Sequence, residues 1–254
     1  MANIFLSVPI MNRPELKMIY SMYKAILSCS KHKVTLYFNE NDSLISRVRN
    51  VHASVFLNEH PDCDYFMSFD SDIEIVNTFP NNNVFDKLIG HDKDFVGGLY
   101  AIKRLTNPLK CSSIPYDMSD PLTFNSGLVR MNWLASGSWC LKRSVLEKMA
   151  NAYPDLLYDG DDNAAGKKIY GFYMPFICDV DTGTVKIKKY LSEDWAFSER
   201  WKRIGGEIYA DTSIALKHVG KYSYDLYDVK VTTSQEPPKP KESSENLPEP
   251  GFDL

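Results

Sequence analysis

The sequence has no long hydrophobic run, no secretion signal and little excess of either charge. No segment contains the roughly 18 consecutive apolar residues that a transmembrane helix needs. The first residues, Met1–Pro9, lack the basic segment and the long apolar segment of a signal peptide. We therefore expect a soluble, cytoplasmic protein without a transmembrane segment.

Paired cysteines are also missing, although the chain contains five cysteines. Their number is odd, and no two of them have the CxxC spacing of many zinc and redox sites. These features predict reduced thiols in a cytosol-like compartment, and they favour neither a disulfide framework nor a zinc site. The cysteines are Cys29, Cys63, Cys111, Cys140 and Cys178.

The charge balance argues against one broad class of partner. The formal net charge is -4 at pH 7. Proteins that bind nucleic acids in general normally carry a strongly basic face, because they neutralise phosphates with lysine and arginine. We therefore expect no general nucleic-acid binding.

The 254 residues, of which 44% are hydrophobic, are enough to build a full core. The composition changes after about Thr232, where proline, glutamate and lysine replace the apolar residues. Such a segment buries too little apolar surface to fold. We predict one domain over residues 1–231 and a disordered tail over residues 232–254.

The first seventy residues alternate short apolar runs with helical patterns. Strands are predicted at 4–8, 34–38 and 65–69, and the two helices between them begin near the candidate caps Asn12 and Asp42. The order β-α-β-α-β implies parallel strands with helices packed on the sheet. The predicted fold class is therefore α/β.

The first of these helices has an apolar pattern of its own. Apolar side chains recur at intervals of three and four residues, which is the spacing of one helix face. We expect this face to pack against the sheet. It consists of Leu16, Ile19, Tyr23, Ile26 and Leu27.

Two carboxylates, Asp70 and Asp72, follow the third predicted strand directly. Side chains alternate along extended backbone, so both would lie on the same side. Ligands of open parallel sheets bind at the carboxyl ends of the strands, where Pro9 and Asn39 also lie. Two hard oxygen donors there could hold Mg²⁺ or Mn²⁺. A solvated turn is the simpler alternative, because Asp and Ser are common turn residues.

Two helix starts contain further polar groups, each with a structural alternative. The polar residues near the start of the second helix are Arg47, Arg49 and Asn50. They could contact a ligand, but the simpler interpretation is a solvated helix face. Glu193 and Asp194 lie in the first turn of a later predicted helix. Acids at that position ordinarily complement the helix dipole.

Two more features lie between and beyond these helices. The small residues at 135–138 precede a strand and would let a ligand approach the backbone closely. His218 follows the last clear strand pattern, and a lone histidine is more often structural than a metal ligand. Local sequence alone does not decide between these alternatives.

In this order, the segments resemble the GT-A superfamily of nucleotide-sugar-dependent glycosyltransferases. The resemblance covers about residues 3–220 and is closest to small bacterial, phage and large-virus versions of the fold. One short motif is a weak signal, whereas the order of the motifs in their strand contexts is more specific. The matching segments are Val8-Pro9, Asp42–Asn50, Phe69–Asp72 as the DxD motif, Ala135–Trp139, and Ser192–Phe197 as the ED-type motif.

The resemblance implies a GT-A, Rossmann-like single domain with a mixed, mostly parallel central sheet flanked by helices. It also implies a UDP- or GDP-sugar donor, a glycan or other hydroxyl acceptor, and a divalent cation. The metal ligands would be Asp70, Asp72 and His218. A histidine ligand suits Mn²⁺ better than Mg²⁺, so Mn²⁺ is preferred.

The resemblance also assigns donor contacts and a base. For an inverting transfer, which we favour, Asp194 is the first candidate to take the acceptor proton and Glu193 the second. For a retaining transfer, neither need act as a base. The predicted donor-binding residues are Pro9, Asn39, Arg47, Asn50, Asp70, Ser71, Gly137 and Ser138.

Two other functions use the same residue types. A sugar nucleotidyltransferase would need a glycine-rich loop after the first strand, but the segment Pro9–Pro14 contains no glycine. A non-catalytic, cation-dependent glycan- or nucleotide-binding module is the other alternative, since fold does not fix function. The pair Glu193 and Asp194 argues against a pure binder, which would not need a base there.

Overall fold

The structure is a computed structural model of the chain. It describes residues 1–11, 13–39, 42–76, 83–104, 110–117, 127–161, 164–181, 185–220 and 223–225. The predicted helix cap Asn12 and the predicted tail 232–254 lie outside the described residues.

The described residues form five α-helices and fifteen strands. The helices are α1 (Leu16–Ser28), α2 (Ile45–Glu59), α3 (Val84–Gly90), α4 (Arg143–Ala152) and α5 (Glu193–Arg203). The strands are β1 (Asn3–Pro9), β2 (Lys33–Asn39), β3 (Tyr65–Phe69), β4 (Ile73–Ile75), β5 (Phe95–Gly98), β6 (Ile114–Pro115), β7 (Leu128–Trp133), β8 (Ser138–Lys142), β9 (Leu157–Asp159), β10 (Lys168–Tyr170), β11 (Phe176–Asp181), β12 (Lys186–Leu191), β13 (Ile208–Asp211), β14 (Leu216–Val219) and β15 (Ser223–Asp225).

An eight-stranded sheet forms the centre, in the order β2-β1-β3-β8-β5-β13-β7-β6. Strands β7 and β8 run opposite to the other six. The three strands predicted from the first seventy residues are adjacent and parallel, as the β-α-β-α-β order requires. The predicted fold class is confirmed: the chain is an α/β protein with a mixed, mostly parallel central sheet flanked by helices.

Side-chain alternation along the strands divides the core into two layers. In β1, Phe5 packs on one side with residues of α2, α4 and α5. Its neighbours Ile4 and Leu6 pack on the other side with residues of α1 and α3. Both faces of the sheet are therefore covered, which explains why β1 and β3 are apolar almost throughout.

The predicted apolar face of α1 is wrong. Leu16 and Leu27 are 78% and 67% exposed, whereas the helix buries Met18, Met22 and Ala25. These three residues follow the i, i+4, i+7 spacing of a neighbouring face, and they are flexible or small enough to lie close to the sheet. Two overlapping apolar stripes made the choice ambiguous in the sequence.

Helix boundaries also differ from the prediction at α2. The side chain of Asp42 does not cap the helix, which begins at Ile45, but accepts a 2.9 Å hydrogen bond from the Leu44 N–H. The predicted first turn of α5 is confirmed: Glu193 and Asp194 begin the helix, and Gly205 follows its C-terminus with a φ of 88°. That positive φ is one that glycine adopts without strain.

A second, three-stranded sheet in the order β15-β14-β4 lies next to the end of β3. Strand β14 pairs antiparallel with β4, and His218 lies opposite Ile73. The carbonyl of Asp72 accepts a 2.8 Å hydrogen bond from the Val219 N–H. The small sheet therefore joins the turn after β3 to a segment about 145 residues later.

All five cysteines are free in the structure. Cys63 and Cys140 are buried, and the other three are partly exposed. Within the part of the chain that the structure describes, none of the helices has both the length and the apolar character needed to cross a membrane.

Candidate active site

The turn Asp70-Ser71-Asp72 joins β3 of the central sheet to β4 of the small sheet. Its main chain is fixed at both ends. The Asp70 N–H donates to the Gly137 carbonyl at 3.2 Å, and the Ile73 N–H donates to the Asp70 carbonyl at 3.0 Å. The predicted placement of both carboxylates at the carboxyl end of a buried strand is therefore correct.

The Asp72 carboxylate has two basic neighbours on one oxygen. Its Oδ2 lies 3.4 Å from His218 Nε2 and 2.5 Å from Lys103 Nζ. Partial burial alone would raise the pKa of Asp72, but the contacts with His218 and Lys103 outweigh it and the pKa is lowered. The carboxylate is thus held in its ionised, ligand-competent form.

A backbone carbonyl fixes the orientation of the His218 ring. Nδ1 lies 2.9 Å from the Ala101 carbonyl oxygen, which can only accept, so Nδ1 carries the proton. In the neutral form of the ring the lone pair lies on Nε2, the atom that faces Asp72, whereas in the protonated form Nε2 pairs with the Asp72 carboxylate. This arrangement, with the second ring nitrogen bonded to a carbonyl, is the one that metal-binding histidines commonly have.

The pair of Asp72 and His218 fits a divalent ion. Asp72 Oδ2 and His218 Nε2 lie 3.4 Å apart, so both atoms could contact one bound ion. One oxygen and one imidazole nitrogen form a donor set that suits Mn²⁺. The third predicted ligand, Asp70, does not join them but contacts an arginine instead.

That arginine is Arg49 of α2, a side chain that the sequence interpretation did not select. It is 4% exposed, its Nη2 donates to Asp70 Oδ1 at 2.8 Å, and its Nε lies 3.9 Å from Glu193 Oε1. Burial alone would lower the pKa of the guanidinium, but Asp70 and Glu193 raise it overall. Arg49 is therefore a fixed positive charge between the DxD turn and the start of α5.

The two acids of α5 are partly buried, and both have raised pKa values. Burial and the charge of Asp194 raise the pKa of Glu193, against the opposing charge of Arg49. Burial also raises the pKa of Asp194, although hydrogen bonds from the Ser192 hydroxyl and the Trp195 N–H oppose it. Both of these bonds end on Asp194 Oδ1. A raised pKa brings a carboxylate closer to the range of an effective general base.

The buried Tyr100 contacts Gly137, the residue whose carbonyl also binds the Asp70 N–H. Its hydroxyl accepts a 2.8 Å hydrogen bond from the Gly137 N–H. Burial, followed by the charges of Asp70 and Asp194, raises the pKa of Tyr100 well above its ordinary value. The phenol therefore stays neutral and lies within the electrostatic field of both carboxylates.

A cleft of about 320 Å³ lies over the DxD turn and Arg49, and neither Asp194 nor His218 is among the residues that line it. The DxD turn, the start of α2 and the start of α5 line it, so that carboxylates and one arginine face a common space. Of the predicted residues, it contains Pro9, Asp70, Ser71, Asp72 and Glu193.

Other predicted donor contacts lie elsewhere. Arg47 and Asn50 line a separate cleft of about 530 Å³, and Arg47 pairs with Asp42 at 2.8 Å. The Oδ1 atom of Asn50 accepts a hydrogen bond from the Tyr173 N–H. Asn39 lies beside Pro9 in the sheet, as predicted, but is not among the residues that line the smaller cleft.

Gly137 and Ser138, which are also predicted donor contacts, are not among the residues that line the cleft. Both polar main-chain groups of Gly137 are engaged, by Tyr100 and by Asp70. Ser138 is 0% exposed, within a strand that pairs with β3 and β5 on its two sides. These residues lie directly behind the DxD turn, because the Gly137 carbonyl accepts from the Asp70 N–H and Ser138 lies opposite Phe69 in the sheet.

One signal in the sequence could have identified Arg49, but none could have identified Lys103. Arg49 shares a helix face with His52 and Phe56, at intervals of three and seven residues, and a charged residue on a buried face implies a charged partner. Arg47 is two positions away, so it points to the other side of α2. Lys103 reaches Asp72 from a segment without recognisable periodicity.

A further group of potential ligands lies at the opposite end of the sheet. His60, Asp62 and Cys63 each place one ligand atom within 4.8 Å of the others. The guanidinium of Arg143 donates to the carbonyls of His60 and Cys63 in the same turn. The positive charge of Arg143 therefore already contacts this turn, which is far from the cleft over Asp70 and Asp72.

Comparisons with known proteins identify the fold rather than a family. No family model matches the chain, and no curated protein matches its sequence. A solved structure described as A197 from STIV has 18% sequence identity and a TM-score of 0.54, covering 89% of this chain and 91% of that one. The two proteins share a fold.

Two further solved structures are less similar. One is described as a glycosyltransferase involved in the glycosylation of the major capsid of PBCV-1, with 12% identity and a TM-score of 0.34, covering 60% of this chain and 67% of that one. The other is a putative glucose-1-phosphate thymidylyltransferase from Bacillus anthracis, with 7% identity and a TM-score of 0.33, covering 57% and 74%.

Proposed function

We propose that this protein is a metal-dependent glycosyltransferase that moves a sugar from a UDP- or GDP-sugar to a hydroxyl group of a glycan. The supporting observation is the convergence of two groups at the carboxyl edge of the parallel strands. Asp72 meets His218 there, and Asp70 meets Arg49 beside the acids of α5. The mixed α/β fold fits the GT-A resemblance, but many activities share such folds, so the proposal depends on the site.

Asp72 and His218 would hold the divalent ion, with Mn²⁺ preferred because imidazole is a borderline ligand. When bound, the ion supplies positive charge against the charge that develops on the leaving diphosphate. Asp70 is held by Arg49, so we assign it to a metal-bound water or to the donor ribose rather than to direct ligation.

Asp194 is the proposed base for an inverting transfer. Its Oδ1 is oriented by Ser192 and Trp195, so Oδ2 is the oxygen available to a ligand among the described contacts. The acceptor O–H proton moves to Oδ2 while the acceptor oxygen bonds to the anomeric carbon and the bond from that carbon to the diphosphate breaks. General-base catalysis of this kind contributes on the order of 10²–10⁴-fold.

A thermal-shift panel of UDP- and GDP-sugars, with and without Mn²⁺, tests the proposal. At about 100 times its Kd, a ligand stabilises the folded state by roughly 2.7 kcal/mol. For a chain of this size that corresponds to a rise in Tm of about 5–10 °C. We expect this rise with one nucleotide sugar and only when metal is present. No rise with any donor would contradict the proposal.

Two variants separate binding from chemistry. Asp72→Asn should abolish the metal-dependent shift, whereas Asp194→Asn should keep it and lose at least a hundredfold in transfer rate. Normal transfer by Asp194→Asn would contradict the base assignment. A sugar nucleotidyltransferase would instead release pyrophosphate from a nucleoside triphosphate and a sugar phosphate, which the same protein preparations can be tested for directly.

A further inference from the structure

The Asp72 oxygen that faces His218 already has a cation against it. Lys103 Nζ lies 2.5 Å from Asp72 Oδ2, closer than the 3.4 Å to His218 Nε2. The lysine stem passes over Gly220, where a Cβ would come within 3.4 Å of the lysine Cδ. The ammonium is therefore seated in the position from which a divalent ion would contact the same oxygen.

The main chain immediately before Lys103 is anchored by contacts of Ala101 and Ile102. The Ala101 carbonyl sets the His218 tautomer, and Ala101 forms an isolated bridge with Cys111. The Ile102 N–H donates to the Lys110 carbonyl at 2.8 Å. One short segment thus fixes the imidazole for metal binding and also presents a competing positive charge.

A divalent ion and an ammonium cannot share this oxygen without strong repulsion, because like charges a few ångströms apart oppose each other even when partly hydrated. The lysine side chain is 36% exposed. It has a long, flexible stem with three donor hydrogens, so it can move to another anion nearby at little cost. A diphosphate next to the metal is such an anion.

We propose that Lys103 is an internal cation that neutralises Asp72 in the ligand-free protein and transfers to the donor diphosphate when the divalent ion takes its place. The inference rests on the metal-dependent function proposed above and adds a residue to it. Lys103 would contact the substrate phosphates, and it would make metal binding to the free protein weak.

Calorimetric titration with two simple probes tests this. Mn²⁺ alone should bind Lys103→Met about fivefold more tightly than the natural protein, a factor typical of removing one partly exposed charge pair. Inorganic pyrophosphate, titrated in the presence of saturating Mn²⁺, should bind that variant about fivefold more weakly, because the ion releases Lys103 to the phosphate in the natural protein. The charge-matched control is Lys93→Met, which lies just before β5. It should change neither the Kd of Mn²⁺ nor the Kd of pyrophosphate.

Lys103→Gln keeps a hydrogen-bond donor for Asp72 without the charge, so it must shift both constants in the same directions even if the methionine variant folds poorly. Unchanged or weaker Mn²⁺ binding, or unchanged pyrophosphate binding, in these variants would overturn the inference while leaving the glycosyltransferase proposal intact. Failure of every protein, including the natural one, to bind Mn²⁺ would overturn both.

Discussion

Replacement of Arg49 by methionine is the most informative single change, because it removes the buried positive charge that contacts both Asp70 and Glu193. Methionine keeps most of the side-chain volume, but it leaves Asp70 and Glu193 without their shared cation. Breaking a buried ion pair by deleting one partner typically costs about 3–5 kcal/mol. We expect Arg49→Met to lose that much free energy of unfolding at pH 7.5.

The matched control is Arg47→Met, two residues earlier on the same helix. Arg47 pairs with Asp42 at 2.8 Å but is about one-third exposed, so its replacement should cost at most about 1 kcal/mol. Urea unfolding of both variants measures the difference. Equal stability of the two variants would refute the reasoning, because burial is the property that distinguishes the two arginines.

The same variant has a predictable pH dependence. The pKa of Glu193 is already raised in the natural protein, and Arg49 opposes that rise. Without Arg49 the folded pKa rises further above its unfolded value, so the folded state binds the extra proton and loses stability as the pH increases. The deficit of Arg49→Met should therefore be larger at pH 7.5 than at pH 5.

Two further predictions concern stability. Asp211 accepts hydrogen bonds from Ser213 and His91, and these lower the pKa of its carboxyl group although burial opposes them. The ionised carboxylate therefore stabilises the folded state above about pH 3.9. This stabilisation is lost as the pH falls through the lower pKa of the folded state. Asp211→Asn should cost about 1.5–3 kcal/mol at pH 7 in urea unfolding, and much less at pH 3. Gly97→Ala would place a Cβ 2.2 Å from the Ser138 carbonyl oxygen and should cost about 3 kcal/mol or more, whereas Gly90→Ala, with nothing within 4 Å, should be tolerated. Equal melting temperatures of the two glycine variants would contradict the predicted clash.

The sequence was sufficient for those parts of the fold that local pattern controls. Strand β3, the order of the first five elements and the first turn of α5 at Glu193 and Asp194 all follow from apolar runs and turn residues. The DxD turn could be placed at a strand end for the same reason. His218 could be selected only through the family resemblance, yet the pairing of β14 with β4 does bring it to Asp72.

The errors arose where the phase of a helix or a distant contact decides the outcome. The sequence interpretation favours Arg47 over Arg49 as a donor contact, although residues two positions apart on a helix point to opposite sides. Leu16 was assigned to the core, but the helix turns Met18 and Met22 inward instead. Lys103 approaches Asp72 across 31 positions of the chain, a distance over which periodicity carries no information.

The small sheet determines where the chain can gain or lose residues without disturbing the site. Asp72 immediately precedes β4 and His218 lies on β14, so the separation of the two side chains depends on strand register rather than on the conformation of a loop. Losing or gaining one residue within β4 would turn the facing residues to the other side of the strand. We therefore expect insertions in the surface loops to be accepted far more readily than any change in length between Asp72 and Ile75.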